Sequence, residues 1–438
     1  MIDVYLESQK QKIIEDIQAL VRIASIHGNL ERNRAALEFV KQKVAAMGLS
    51  CKLTREEDAA FIAVGSGEEK VGILVHVDVV EIGDRGQWSY PPFSGYFDGE
   101  EIWGRGTLDD KGAVVVCLYA LKALLDLKIP LQKQIWLIVG SGEEGGEWED
   151  IEHFKRDFGL PDYGFSPDGD FPIFNEENGY ADVELEFVEP RREELLSLLC
   201  GDSVNSIPSK AEIQFRGQQV MEFHGVSAHS STPELGQNAI EILCRELSDR
   251  QELNFIGFIQ NYLLGDPVGS RLGLNPEDPL PRPGLTVRKT ICVPTVLKLT
   301  DRGVFLNINV RQRYGVSRQD ILRQFETHAP EFGYSVRLLN YQEPLLVNEK
   351  HDALQLMKNV YEEYGFNSDF KVGFGTSYAK SMQNFVSWGP NFPDEVNCAH
   401  MENEKIGIHS LMSAAKIYTL FLARCAAQPS LTGINKKN

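Results

Sequence analysis

Two glutamates stand side by side in VGSGEEGGEWEDI, residues 139–151, directly after an apolar run. Adjacent carboxylates repel, so Glu143 and Glu144 need solvent or something positive to share. Other acidic and imidazole groups sit at comparable junctions. HVDVV puts His76 and Asp78 two residues apart at the end of the run 71–80. GRGTLDDKG, 104–112, presents Asp109 and Asp110 just before a helix-length apolar segment. FSPDGDFP, 165–172, presents Asp168 and Asp170, and CAHMENE sets His400 beside Glu402 and Glu404. Imidazole and carboxylate are ligand types for divalent metal ions, and converging carboxylates are tolerated where a cation neutralises them. Two apart on a strand, His76 and Asp78 point the same way, so the carboxylate can accept one imidazole N–H and leave the other nitrogen for a metal. Taken singly, each fragment reads more readily as a core histidine or a solvated acidic pair than as a metal ligand. Their recurrence at strand ends points to a shared cation.

The elements that must position these groups are legible as patterns. VGILVHVDVV (71–80) and QIWLIVG (134–140) are β-branched runs of strand length, and KGAVVVCLYALKALLDLKI (111–129) between them is long, apolar and free of Pro, which suits a buried helix. With a further helix expected over 147–158, strand, helix, strand, helix predicts an α/β sheet with crossover connections. Ligands of such sheets gather beyond the carboxyl ends of the strands, where the His76 and Glu143–Glu144 junctions fall. From about residue 180 the pattern changes to strands (ADVELEFV, AEIQFRGQQVMEFHGV, VFLNINVRQRYGV) with a Gly- and Pro-rich loop at 265–287. After about 344 helical periodicity returns, ending in IHSLMSAAKIYTLFLARCAA. The expected organisation is a first catalytic segment 1–179, an inserted domain 180–343 and a second catalytic segment 344–438, with a disordered tail at SLTGINKKN.

Composition excludes several classes. The 63 acidic residues against 44 basic ones give a net charge of -19 and no dense Lys/Arg cluster, which argues against nucleic acid as a partner. Seven dispersed cysteines without a CxxC motif predict a reducing, cytoplasmic setting. The amino-terminal segment places Ile13, Ile14, Ile17, Leu20, Val21 and Ala24 on one helical face and has no signal-peptide pattern. The apolar run AVVVCLYAL is far shorter than the roughly 20 residues of a membrane span, so no membrane partner is expected.

In order and spacing, HVDVV, Trp88 with PPF at 91–93, GRGTLDDKG, the glutamate pair, PDGDFP, SAHSSTPELGQNA and AHMENE resemble the M20 metallopeptidases, and among them the PepV-like dipeptidases, over nearly the whole chain. The resemblance implies a zinc-peptidase-type α/β fold, a doubly wound mixed sheet with an inserted α+β lid domain. It also implies two divalent metal ions, most commonly zinc, with manganese or cobalt in some relatives. One metal ion would take His76, Asp109 and Asp168, and the other Asp109, Glu144 and His400. The resemblance makes Asp109 the bridging residue, since the family's bridging residue lies two before the lysine, here Lys111, and it implies a cis peptide bond to Asp110. Asp78 would orient His76, and Glu143 would be the general base that takes a proton from water and returns it to the leaving amine.

In the inserted domain, His229 matches the lid histidine that polarises the carbonyl, and Asn205 the lid asparagine facing the oxyanion. Arg311 resembles the arginine that grips the substrate carboxylate, with Arg313 the alternative if the alignment follows RY. Gly375 and Thr376 of GFGTSYAK would serve the same carboxylate. The chain departs from the pattern at Phe374 and Lys380, where PepV-like proteins commonly carry a glycine and an arginine, so substrate positioning is the least constrained feature. The implied activity is cleavage of dipeptides with a free C-terminal carboxylate. Alternatives are an N-acyl-amino-acid amidohydrolase and, from another class, a catalytically silent binding protein, against which the intact Glu143 stands. The insertion is long enough for two lid units, and PepV-like proteins with an enlarged lid work as monomers, so the resemblance implies a monomer closing its own lid at hinges near 179/180 and 343/344, with a dimer as the alternative.

Overall fold

The computed structural model describes residues 1–278 and 288–428. Positions 279–287 of the Gly- and Pro-rich loop and the tail from 429 onward, including SLTGINKKN, lie outside the described residues. The chain forms two compact units: Met1–Asn175 with Val347–Lys371 and Ser377–Asn438, and Glu176–Leu346 with Val372–Thr376.

The first unit is built on a mixed sheet. Its strands run in the order Cys51–Leu53, Ala59–Val64, Gln134–Gly140, Lys70–His76, Tyr163–Ser166, Phe385–Trp388 and the start of Ile173–Glu177. Lys70–His76 pairs in parallel with both Gln134–Gly140 and Tyr163–Ser166, and the latter pairs in parallel with Phe385–Trp388. The central strands are buried almost throughout, as expected where helices cover a parallel sheet. Helix Lys111–Asp126 buries nearly every side chain, packs on Ile2–Val21 and Ile408–Ala427, and contacts both Lys70–His76 and Gln134–Gly140. Helix Glu149–Phe158 sets Phe154 and Phe158 against Phe61, with Trp136 beside Phe61 and Phe154. This α/β architecture is the one expected from the sequence. The expected strand 71–80 stops at His76, however, so Asp78 lies beyond the strand rather than on it.

One small ladder matters for the site. Lys405–Gly407 pairs antiparallel with Glu101–Trp103, so the chain entering the Asp109 loop runs beside the chain leaving His400.

The second unit is an antiparallel sheet of seven strands, in the order Met221–His224, Lys210–Phe215, Leu195–Cys200, Ile291–Leu299, Val304–Arg311, Tyr180–Phe187 and Tyr334–Gln342. AEIQFRGQQVMEFHGV is thus a hairpin of two strands. Helices Ala239–Glu246, Asn254–Tyr262 and Arg318–Phe332, none of them apparent in the sequence, supply Leu243, Phe258 and Phe325 to a core with Leu185, Leu306 and Ile308. Alternation along Val304–Arg311 leaves Asn307, Asn309 and Arg311 out of that core, buried but polar.

Candidate metal centre

In the parallel register His76 stands opposite Gly140, which brings the imidazole level with the turn carrying the glutamates. Gly140 is required there, since a Cβ would come within 2.4 Å of the Tyr378 hydroxyl and 2.5 Å of Asp150 Oδ2. His76 Nδ1 lies 2.9 Å from the Asp78 backbone carbonyl, which can only accept, so Nδ1 carries the proton and Nε2 presents a lone pair. The Asp78 carboxylate lies 3.4 Å from the same nitrogen, beside the carbonyl that takes its proton. It also accepts the backbone N–H groups of Glu143 and Glu144, each at 3.2 Å, and His27 Nδ1 at 3.0 Å. Burial alone would raise Asp78, but His27 and His76 outweigh it and hold the carboxyl below its usual range. Asp78 therefore acts on the glutamate turn.

Asp109 lies between two histidines. Its Oδ1 is 3.0 Å from His76 Nε2 and its Oδ2 is 2.9 Å from His400 Nε2. Asp168 Oδ2 is 3.6 Å from His76 Nε2, and Glu144 Oε2 is 3.1 Å from His400 Nε2. His76, Asp109 and Asp168 form one set of potential ligand atoms and Asp109, Glu144 and His400 a second, each within 4.8 Å. The Asp109–Asp110 peptide bond is cis, and the Asp110 carboxylate turns away to accept the backbone N–H of His76 at 3.2 Å. Glu143 has no side-chain hydrogen bond among the described residues, so its carboxyl is uncommitted beside the cluster.

The residues fit two cations. His76 Nε2 and Asp109 Oδ1 are buried, 3.0 Å apart and without a hydrogen-bond partner, two lone-pair atoms facing one another. Ligand atoms about a small divalent ion stand roughly 3.3 Å apart. The electrostatics say the same. Burial, then the charge of Asp168, push Glu143 well above the usual carboxylate range, and burial with Asp109 lifts Glu144 to about 7. Burial also raises Asp109, but His400 and His76 on its two oxygens outweigh this and hold it low. Desolvation opposes charge on His400, yet Asp109 and Glu144 lift it to about 12. Protons and metal ions compete for such a site. A third cluster, Glu56, Asp58 and His153, is already paired internally, with His153 on Asp58 and Arg156 on Glu56, each at 2.5 Å.

Several supporting residues escape sequence reasoning. Asp150 Oδ2 accepts the N–H groups of Ser141 and Gly142 at 2.7 and 2.9 Å, and the Tyr378 hydroxyl at 2.5 Å, fixing the turn before the glutamates. Glu404 Oε1 accepts the N–H groups of Gly106, Leu108 and Asp109, and its Oε2 pairs with Arg105 at 2.6 Å. Arg105 also donates to the His400 carbonyl, where the backbone is left-handed at φ 64°. His27 is placed by pairing of segment 25–27 with 77–79. These are contacts between distant segments, for which no spacing rule exists.

The remaining candidates belong to the second unit. Ser206 pairs with His229 across a two-stranded ladder, and the Asn205 carbonyl accepts the Ser230 N–H. His229 Nδ1 is 2.6 Å from the Ser231 hydroxyl. The buried Arg311 guanidinium donates to the Ser230 hydroxyl at 3.1 and 3.3 Å and to the Phe374 carbonyl at 3.4 Å, which places Gly375 and Thr376 in the adjoining loop. Arg313 instead spends its donors on the carbonyls of Tyr314, Pro276 and Glu277.

The chain is 29% identical over 460 residues to "Putative dipeptidase YtjP" of Bacillus subtilis, covering 94% of this chain and 96% of the relative. Its fold resembles the M20 family metallo-carboxypeptidase Sso-CP2 of Sulfolobus solfataricus, with a TM-score of 0.64 at 17% identity over 94% of this chain and 98% of the other. It also resembles the di-peptidase Dug1p of Saccharomyces cerevisiae, with a TM-score of 0.65 at 12% identity over 98% of each chain. No helix of the described residues is long and apolar enough to cross a membrane. The model of peptidase family M20/M25/M40 matches residues 72–424, and the chain belongs to that family.

Proposed function

We propose that this M20 peptidase is a dinuclear metal-dependent dipeptidase acting on substrates with a free C-terminal carboxylate. The observation that carries the reading is the division of Asp109, whose two carboxylate oxygens each face a different histidine at about the same distance. Asp168 completes one side and Glu144 the other. Two divalent cations, zinc in the first instance and manganese or cobalt as alternatives, would polarise the scissile carbonyl and acidify water there.

The protein's own groups supply the rest. Glu143, uncommitted and close to Asp168, Glu144 and Asp109, would take the proton of the attacking water and return it to the departing amine nitrogen. As water adds to the carbonyl carbon and the C–N bond breaks, the products are an acid and an amine. Asp78 holds the backbone amides of both glutamates, which fixes the turn that carries them. In the second unit Arg311 offers a buried guanidinium with no carboxylate partner among the described residues, suited to a substrate carboxylate. His229 and Asn205 would serve the oxyanion. The shared B. subtilis relationship over nearly the whole length supports the dipeptidase reading.

The test is hydrolysis of a panel of dipeptides and N-acyl amino acids by metal-depleted and metal-restored protein. Dipeptide cleavage that vanishes on chelation and returns with Zn²⁺, Mn²⁺ or Co²⁺ is expected. Full activity in metal-free protein, or cleavage of N-acyl amino acids alone, would overturn the reading.

A further inference from the structure

We propose that the enzyme prefers dipeptides whose C-terminal residue has an acidic side chain, and that Lys289 reads that second carboxylate. The inference rests on the dipeptidase reading and on Arg311 as receptor of the α-carboxylate.

Three cations follow the strand that carries Arg311 or enter the strand beside it, and their commitments differ. Arg288 is paired with Glu176 at 2.6 Å and with Asp278 at 3.3 Å. Arg313 is bound by backbone carbonyls. Lys289 has no carboxylate within ion-pair distance among the described residues. Its ammonium lies 5.0 Å from the centre of the Phe374 ring. Phe374 is also the residue whose carbonyl accepts Arg311 Nη1. Phe374 therefore contacts both cations that lack a carboxylate partner among the described residues, and it is one of the positions at which the sequence departs from the PepV-like pattern. An aromatic face steadies an ammonium without neutralising it, leaving the charge available to an anion.

Lys289 lines a cavity of about 840 Å³ together with Ile207, Ile291 and Val293. Ile291 stands directly opposite Arg311 in the antiparallel register, and Val293 opposite Asn309. Ile207 follows Ser206, the partner of His229. These three side chains form one apolar cluster with Phe374 packed against it. A substrate held at Arg311 by its α-carboxylate would lay its C-terminal side chain on this apolar wall, with Lys289 beside it. The methylene groups of glutamate suit the wall and its carboxylate suits the ammonium. The cavity's acids, Glu234 and Glu241, come from the 233–245 segment, where Arg245 also lines the wall and Glu241 accepts the Gly265 N–H.

The experiment compares kcat/KM of the metal-loaded enzyme for Ala-Glu and Ala-Gln, which have nearly the same shape and differ in charge. A charge-assisted hydrogen bond predicts about a ten-fold or larger preference for Ala-Glu. Lys289→Met should bring the ratio towards one, Lys289→Arg should keep most of it, and Lys289→Glu should shift preference towards Ala-Lys. A ratio near one in the unaltered enzyme, or one unchanged by Lys289→Met, overturns the assignment of Lys289 while leaving dipeptidase activity intact. If fully metal-loaded enzyme hydrolysed neither dipeptide, the dipeptidase reading itself would fall and this inference with it.

Discussion

Replacing Glu404 with alanine should unfix the metal centre without touching a ligand. The side chain is fully buried and ties together the segments that carry Asp109 and His400: three backbone N–H groups of the 106–109 loop on one oxygen and Arg105 on the other. Arg105 is 1% exposed and reaches the His400 carbonyl. Removing the carboxylate leaves that guanidinium buried without its counter-charge, and breaking a buried pair in this way costs about 3–5 kcal/mol. The released amides also free Asp109 and, through Arg105, His400, for which a loss of about 10- to 100-fold in metal affinity is expected. Glu402, two residues earlier, is the control. It is only partly buried and accepts a single N–H, from Asp84, so Glu402→Ala should cost about 1 kcal/mol and leave metal binding unchanged. Urea unfolding of the metal-free proteins followed by tryptophan fluorescence gives the first quantity, and competition with a chelator of known affinity gives the second. Equal destabilisation by the two substitutions, or wild-type metal affinity in Glu404→Ala, would refute the reasoning.

Three further outcomes follow from the same geometry. Glu143→Ala should retain its metal ions yet lose about 10²- to 10⁴-fold in turnover, whereas Glu144→Ala should lose metal; elemental analysis beside kcat separates them, and the reverse pattern would invert the pair. Burial pushes Asp150 up to about 6, above its ordinary 3.8, so its contribution to stability is full below pH 4 and is lost as pH rises through 6. The change is about 3 kcal/mol, and in metal-free protein Asp150→Asn should abolish that part of the pH dependence; parallel profiles for the two proteins would contradict it. His229→Ala should depress turnover with unchanged metal content, and mixing it with Glu143→Ala should restore nothing if each chain uses its own histidine; recovered activity would mean that the histidine is shared between chains.

The parts of the molecule legible in the sequence are those specified locally. Lys70–His76 and Gln134–Gly140 are β-branched runs buried on both faces, and the uninterrupted apolar pattern after Asp110 reads directly as the helix Lys111–Asp126. The imidazole and carboxylate groups could be named as candidates because they fall where these elements end. Other features depend on distant partners. Ile291–Leu299 carries Pro294 in its interior, which argues against a strand, but a register shift after Pro294 accommodates it. On the other side, pairing with Leu195–Cys200 is registered at Leu297 and Lys298, away from the proline. Asp78 follows the strand that ends at His76, and besides lying next to the imidazole its carboxylate takes up the two glutamate amides, a role that no spacing announced. Glu402 and Glu404 look alike in AHMENE. Only the packing of residues 104–109 against the second makes it a structural clamp.

The central claim is that Asp109 joins two metal sites, and the direct measurement is metal stoichiometry by equilibrium dialysis of the purified protein and three variants. The unaltered protein should bind two equivalents of Zn²⁺ or Mn²⁺, His76→Ala and His400→Ala one each, and Asp109→Ala neither with wild-type affinity. Binding of a single equivalent by the unaltered protein, or of two undiminished equivalents by Asp109→Ala, would contradict the account.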